Sequence, residues 1–126
     1  MKKVLPLCVM LLVGCGRMST DEWIEQLKSK DAAQRLHAVK ALGERTTEAP
    51  RTVPALALAL KDENAFVRRD AAAALGRIGE EARGAVPDLV AAGRDRNGNV
   101  RRAATDALQR IDPTALAKAS APRRQK

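Results

Sequence analysis

A shift of 33 residues lays this sequence over itself, and then does so again. It carries Arg35 onto Arg68 and Arg101, Ala38 onto Ala71 and Ala104, Ala41 onto Ala74 and Ala107, and Leu42 onto Leu75 and Leu108. The same shift carries Leu27 onto Leu60, Val53-Pro54-Ala55-Leu56 onto Val86-Pro87-Asp88-Leu89, and Gly43 onto Gly76, with Gln109 in the third place. A fixed period of this length means one supersecondary unit used repeatedly, each copy burying its faces against the next instead of around a shared centre. In 126 residues there is room for a single domain of three such units.

Each unit reads as a pair of helices. Pro54 and Pro87 suit a first turn, where a missing N–H costs nothing, and Leu56 and Leu60 then share a face. In the first unit Ser19 and Glu22 have the spacing of a capping box, ahead of Trp23 and Leu27. Polar corners follow, "KDENA" and "RDRNGN", with Asp62 and Asp95 expected as caps or turn formers. The second helix of the middle unit carries an apolar stripe of Val67, Ala71, Ala74, Leu75 and Ile78, and Gly76 and Gly79 are expected to close it. Alanine is the strongest helix former, and its small side chain allows helices to pack closely on two flanks. With Trp23 and Phe66 the only aromatic residues, no single large core is being assembled. The expected fold is all-α, a short α-solenoid of three helix pairs over residues 20–112.

The stretches "VPALALALKDENAFVRRDAAAALGRIG" and "AVPDLVAAGRDRNGNVRRAATDALQRI" resemble HEAT repeats, of the short bacterial variety also found in phycobilin lyases. The resemblance runs from about Thr20 to Asp112; the first unit is degenerate, with Gln34 in place of valine and Asp21 in place of proline, as expected of a terminal cap. It implies that Arg35, Arg68 and Arg101 form a ladder with an acidic residue at the inter-helix corner, a position held by Ser29, Asp62 and Asp95. It also implies a concave surface lined by the second helices. The outward positions there are Leu36/Arg69/Arg102, His37/Asp70/Ala103, Lys40/Ala73/Asp106 and Glu44/Arg77/Arg110. A partner-binding face centred on Arg69, Arg77, Arg102 and Arg110 is expected.

The ends of the chain carry different information. Lys2 and Lys3 precede an apolar run from Val4 to Val13, about half the length that spans hydrocarbon, in the pattern of a secretory signal over residues 1–14. Leu12-Val13-Gly14-Cys15 resembles the lipobox of bacterial lipoproteins, which implies lipid modification of Cys15 and removal of Cys8 with the signal. Residues 15–19 would be a short tether, holding the repeats against a membrane of the cell envelope. Gly16 after the cysteine resembles an outer-membrane sorting pattern, which places the domain in the periplasm. Residues 113–126, "PTALAKASAPRRQK", read as a flexible basic tail that proline starts.

The formal charge of +8 also belongs to the ends: residues 18–117 hold 16 basic against 15 acidic side chains. A nearly neutral body with almost no aromatics argues against nucleic-acid binding. His37 is the only histidine, so neither a histidine metal cluster nor a Ser/His/Asp triad can be built; Gly76, Gly79 and Gly84 lack a Walker lysine; and Glu80-Glu81 fits a helix start. No cofactor, metal or catalytic activity is expected. The expected role is a protein–protein scaffold or adaptor, with an accessory subunit of a lyase-type enzyme complex as the alternative. Leu108, Ile111 and Leu116 are expected to leave an apolar end open to a partner or to a second copy stacked end to end.

Overall fold

The computed structural model describes residues 18–120; Cys15, the signal segment and the last six residues lie outside them. Helices α1 (Thr20–Gln26) and α2 (Ala32–Gly43) form the first pair, α3 (Ala49–Ala59) and α4 (Ala65–Ile78) the second, α5 (Val86–Ala92) and α6 (Gly98–Ile111) the third. A further helix, α7 (Pro113–Ser120), packs on α5 and α6. Short 3-10 turns, Thr46–Glu48 and Gly79–Ala85, join one pair to the next. Among the described residues there is no strand, and no helix is long and apolar enough to cross a membrane.

The caps set the geometry of each pair. Ser19 and Glu22 form the expected capping box: the Ser19 Oγ accepts the Glu22 N–H at 3.2 Å, and the Ser19 N–H donates to Glu22 Oε2 at 2.6 Å. The second helices are capped by Asp31, Asn64 and Asn97, whose side-chain oxygens accept N–H groups of the first turn. Asp62 and Asp95 are therefore turn formers and not caps. Each accepts the N–H two residues on, at 2.9 Å, and stays free to face a neighbour. Gly79, with φ of 79°, ends α4 as expected, whereas Gly76 lies inside it. Pro54 also lies inside a helix, because α3 starts at Ala49 with Pro50 in its first turn.

Packing runs from layer to layer. Helices α2, α4 and α6 stack directly on one another, burying Val39, Leu42, Ala71, Ala74, Leu75, Ala104, Ala107 and Leu108. Gly43 and Gly76 exist for this contact. A Cβ on Gly43 would lie 2.7 Å from the Ala74 Cβ, and one on Gly76 would lie 3.1 Å from the Ala107 Cα. Among the described residues the third layer has no second helix stacked beyond it, and there Gln109 is exposed at the equivalent position.

Two expectations about the end of the chain are corrected. Residues 113–120 are helical and not a flexible tail, because Asp112 caps them: its Oδ1 accepts the N–H groups of Thr114 and Ala115 at 3.1 and 3.2 Å, with Pro113 in the first turn. As a result Leu108 and Ile111 are buried, and Leu116 is half-buried on the core. The apolar end is covered by the chain itself.

Candidate functional site

The recurring arginines are structural, but they bond one layer further along than expected. Arg35 is buried; its Nε and Nη2 donate to Asp62 Oδ2 and Oδ1 at 2.8 and 3.1 Å, and its Nη1 donates to the carbonyls of Ser29 and Lys30 at 2.9 and 3.1 Å. Arg68 repeats this with Asp95 at 2.9 and 3.1 Å, and with the carbonyls of Asp62 and Glu63 at 2.7 and 3.0 Å. The expected pairing within one corner is thus corrected. The corner's own Asp is turned back toward the preceding layer, so an arginine meets carbonyls at home and a carboxylate next door. Arg101 keeps the carbonyl bonds, to Asp95 and Arg96 at 2.8 and 3.2 Å, but has no carboxylate within 4 Å among the described residues and is exposed. Ser29, with no layer before it among the described residues, accepts the Asp31 N–H at 3.2 Å and donates to Gln34 Oε1 at 2.6 Å. The hydrogen bond to Asp62 raises the Arg35 pKa above its already high ordinary value. Burial on its own would raise the Asp95 pKa; the Arg68 hydrogen bond, the Asn97 N–H and the charges of Arg68 and Arg96 outweigh it and hold this carboxyl below the usual range.

On the opposite side of the second helices lies an open groove of about 780 Å³. Residues four apart on a helix stand one turn above another, so α2, α4 and α6 present three columns: Leu36, Lys40, Glu44; Arg69, Ala73, Arg77; and Arg102, Asp106, Arg110. All of these but Leu36 line the groove, with Gly76, Ala103 and Ala107 as a shallow floor. The structure therefore brings Arg69, Arg77, Arg102 and Arg110 to one site. They are not equivalent. Arg69 is held by Asp70, with Nε and Nη2 at 2.9 and 2.8 Å from Oδ1, and lies 5.3 Å from the centre of the Phe66 ring. Asp70 is also approached by Lys40 at 4.0 Å. Arg77, Arg102 and Arg110 are exposed and have no carboxylate within 4 Å among the described residues; the Arg77 guanidinium lies over Gly43 of α2, where an added Cβ would be 2.9 Å from its Nη2.

The model for HEAT repeats matches residues 20–109 of this chain. The chain belongs to the HEAT-repeat family. Among solved structures, the complex of CpcE and CpcF of phycocyanin lyase from Nostoc sp. PCC7120 is similar at 34% identity and a TM-score of 0.72, over 82% of this chain and 41% of that one. An engineered protein is similar at 24% identity and a TM-score of 0.65, over 81% of this chain and 51% of that one, which speaks to the fold alone. The chain thus spans about half or less of the length of these two structures. No curated protein matches it.

Within this HEAT frame, some surface features carried no sequence signal strong enough to single them out. Phe66 is 60% exposed and supports Arg69; Leu58, 72% exposed, lies on the other side in a smaller apolar cleft with Val53, Pro54 and Ala57. Trp23 packs edge-on to His37 with ring centres 5.1 Å apart. Among the described residues no group of three His, Cys, Asp or Glu side chains is placed to hold a metal ion.

Proposed function

We propose that this chain is a lipid-anchored protein of the bacterial envelope whose HEAT solenoid binds another protein along the groove of α2, α4 and α6, without catalysing a reaction. What carries the binding role is the groove itself: columns from three stacked layers line one surface, and three of its arginines are left without a carboxylate among the described residues. A family built as a repeat scaffold supports a protein partner, since an extended concave surface is what stacked helix pairs create. The near-neutral body and the acidic side chains inside the groove favour a protein over nucleic acid. The anchor rests on Leu12-Val13-Gly14-Cys15; four residues, Gly16 to Ser19, would hold α1 within roughly 14 Å of the lipid.

Crosslinking of the full chain in native membranes, followed by mass spectrometry, tests both parts. The same protein should be captured by the parent and lost when Arg77→Glu and Arg110→Glu are combined; equal capture by the two removes the groove. Fatty-acid labelling should depend on Cys15, and a Cys15→Ser chain that stays labelled and membrane-bound removes the anchor. A second role, accessory subunit of a lyase-type complex, is favoured by the likeness to CpcE and CpcF, which assemble with each other. It requires the captured partner to be a second HEAT-like chain.

A further inference from the structure

We infer that the groove takes an extended protein segment carrying two carboxylates four residues apart, with a neutral or basic residue midway between them. This deepens the protein-binding reading above and rests on it.

The spacing comes from the helices. Arg102 and Arg110 stand eight residues apart on one face of α6, and Arg69 and Arg77 do the same on α4. At about 1.5 Å per residue, the two cationic levels are ~12 Å apart. In an extended chain of about 3.3 Å per residue, side chains at i and i+4 point the same way and lie ~13 Å apart. The lower level has two arginines without a carboxylate partner among the described residues, Arg77 and Arg110, in equivalent places on adjacent helices; Arg77 lies over Gly43 of α2, so a carboxylate met from both flanks requires its exposed side chain to swing toward α6.

The occupant's backbone follows from the width. Packed helices lie about 8–10 Å apart, whereas a helix with its side chains is about 10–12 Å across. At that general spacing, arginine columns on neighbouring helices suit an extended chain between them better than a helical one.

The middle level excludes a continuous polyanion. Between the arginines of α6 stands Asp106, exposed and unpaired among the described residues, and between those of α4 stands Ala73. An anion with uniform charge along its length would meet Asp106 at its centre. Between α4 and α6, a segment that is acidic at its ends and neutral or basic in the middle meets arginines at the outer levels and Asp106 at the centre, while α2 adds Lys40 to the middle level and Glu44 to the lower one at the groove's far edge.

The test uses the full chain and synthetic ten-residue peptides that carry two glutamates at separations from one to eight, those at separations of two or more in forms with and without an intervening lysine. Binding is read by fluorescence anisotropy at constant ionic strength. Affinity should peak at separation four, by about five-fold over adjacent glutamates, the size expected for one added solvent-exposed charge pair. Lysine at the midpoint should strengthen it. Arg110→Glu and Arg102→Glu should each abolish the peak, with unchanged thermal melts because both side chains are exposed. Affinity that follows total charge regardless of spacing, a maximum at seven or eight, tighter binding of inorganic polyphosphate, or no binding to any peptide would each overturn the proposal. If crosslinked capture in membranes still depends on Arg77 and Arg110 while the peptide series fails, the protein-binding groove stands and only the spacing rule is lost.

Discussion

The corners at residues 61–69 and 94–102 are nearly the same piece of structure with different consequences. Both place an Asp carboxylate 2.9 Å from an N–H two residues on, both cap the next helix with Asn, and both continue Val-Arg-Arg. Yet Arg68 is buried with two bonds to the Asp95 carboxylate, and Arg101 is exposed with none. The difference lies in what comes next. Arg68 has a following corner to reach, and Arg101 has none within the described residues. Gly43 and Gly76 compared with Gln109 show the same thing, because at this repeat position glycine appears only where another second helix stacks on it among the described residues. A repeat position in this protein is defined by a pair of layers and not by one.

The largest effect should separate the two arginines. Arg68→Met leaves the Asp95 carboxylate largely buried without its partner, and removing one member of such a pair costs about 3 kcal/mol. Arg101→Met removes only carbonyl bonds at an exposed site and should change stability by less than about 0.5 kcal/mol. Urea unfolding followed by circular dichroism measures both. Equal losses would show that the arginines act within their own corners, and the layer-pair account would fail.

The glycines sharpen the same contrast at smaller magnitude. Gly43→Ala pushes a methyl to 2.7 Å from the Ala74 Cβ and should destabilise by about 2 kcal/mol through overpacking. Gly76→Ala meets Ala107 at 3.1 Å, and the better helix propensity of alanine offsets part of the strain, so its cost should stay below about 1 kcal/mol. Gln109→Gly has no neighbour to relieve and should lose only the propensity difference, also about 1 kcal/mol or less. A Gly43→Ala protein as stable as the parent would mean that the first and second layers are further apart than the structure places them.

Much of this was legible in the sequence, and the arithmetic of periods explains why. The 33-residue shift identifies the layers, the helical period gives the outward columns, and the resemblance to HEAT repeats implies that Arg69, Arg77, Arg102 and Arg110 share one surface, where the structure places them. The partners of the ladder were not legible, because Arg68 stands six residues after one corner Asp and 27 before the next, and sequence alone favours the nearer. Nor was the difference between Arg69 and the other three, which depends on how Asp70 and Phe66 turn toward it. Helix α7 did have a signal: Asp112-Pro113 is a good helix start, but the Ala, Ser and Pro content of the tail obscured it.

The smallest effect concerns acid. Folding holds the Asp95 carboxyl below its ordinary pKa, so it favours the ionised form. That contribution is complete above the unfolded value, about 3.9, and disappears as pH falls through the folded one. Asp95→Asn should therefore flatten the loss of stability between about pH 5 and pH 2, whatever it does to stability at neutral pH. Arg68→Met should flatten the same limb, since the Arg68 hydrogen bond is the largest of the influences that lower this pKa. Arg101→Met should leave the limb unchanged, because Arg101 bonds the Asp95 carbonyl and not its carboxylate. Unfolding curves at stepped pH distinguish the three. If Arg101→Met shifted the acid limb as much as Arg68→Met, Asp95 would be serving its own layer, and the two corners would not differ in the way their geometry indicates.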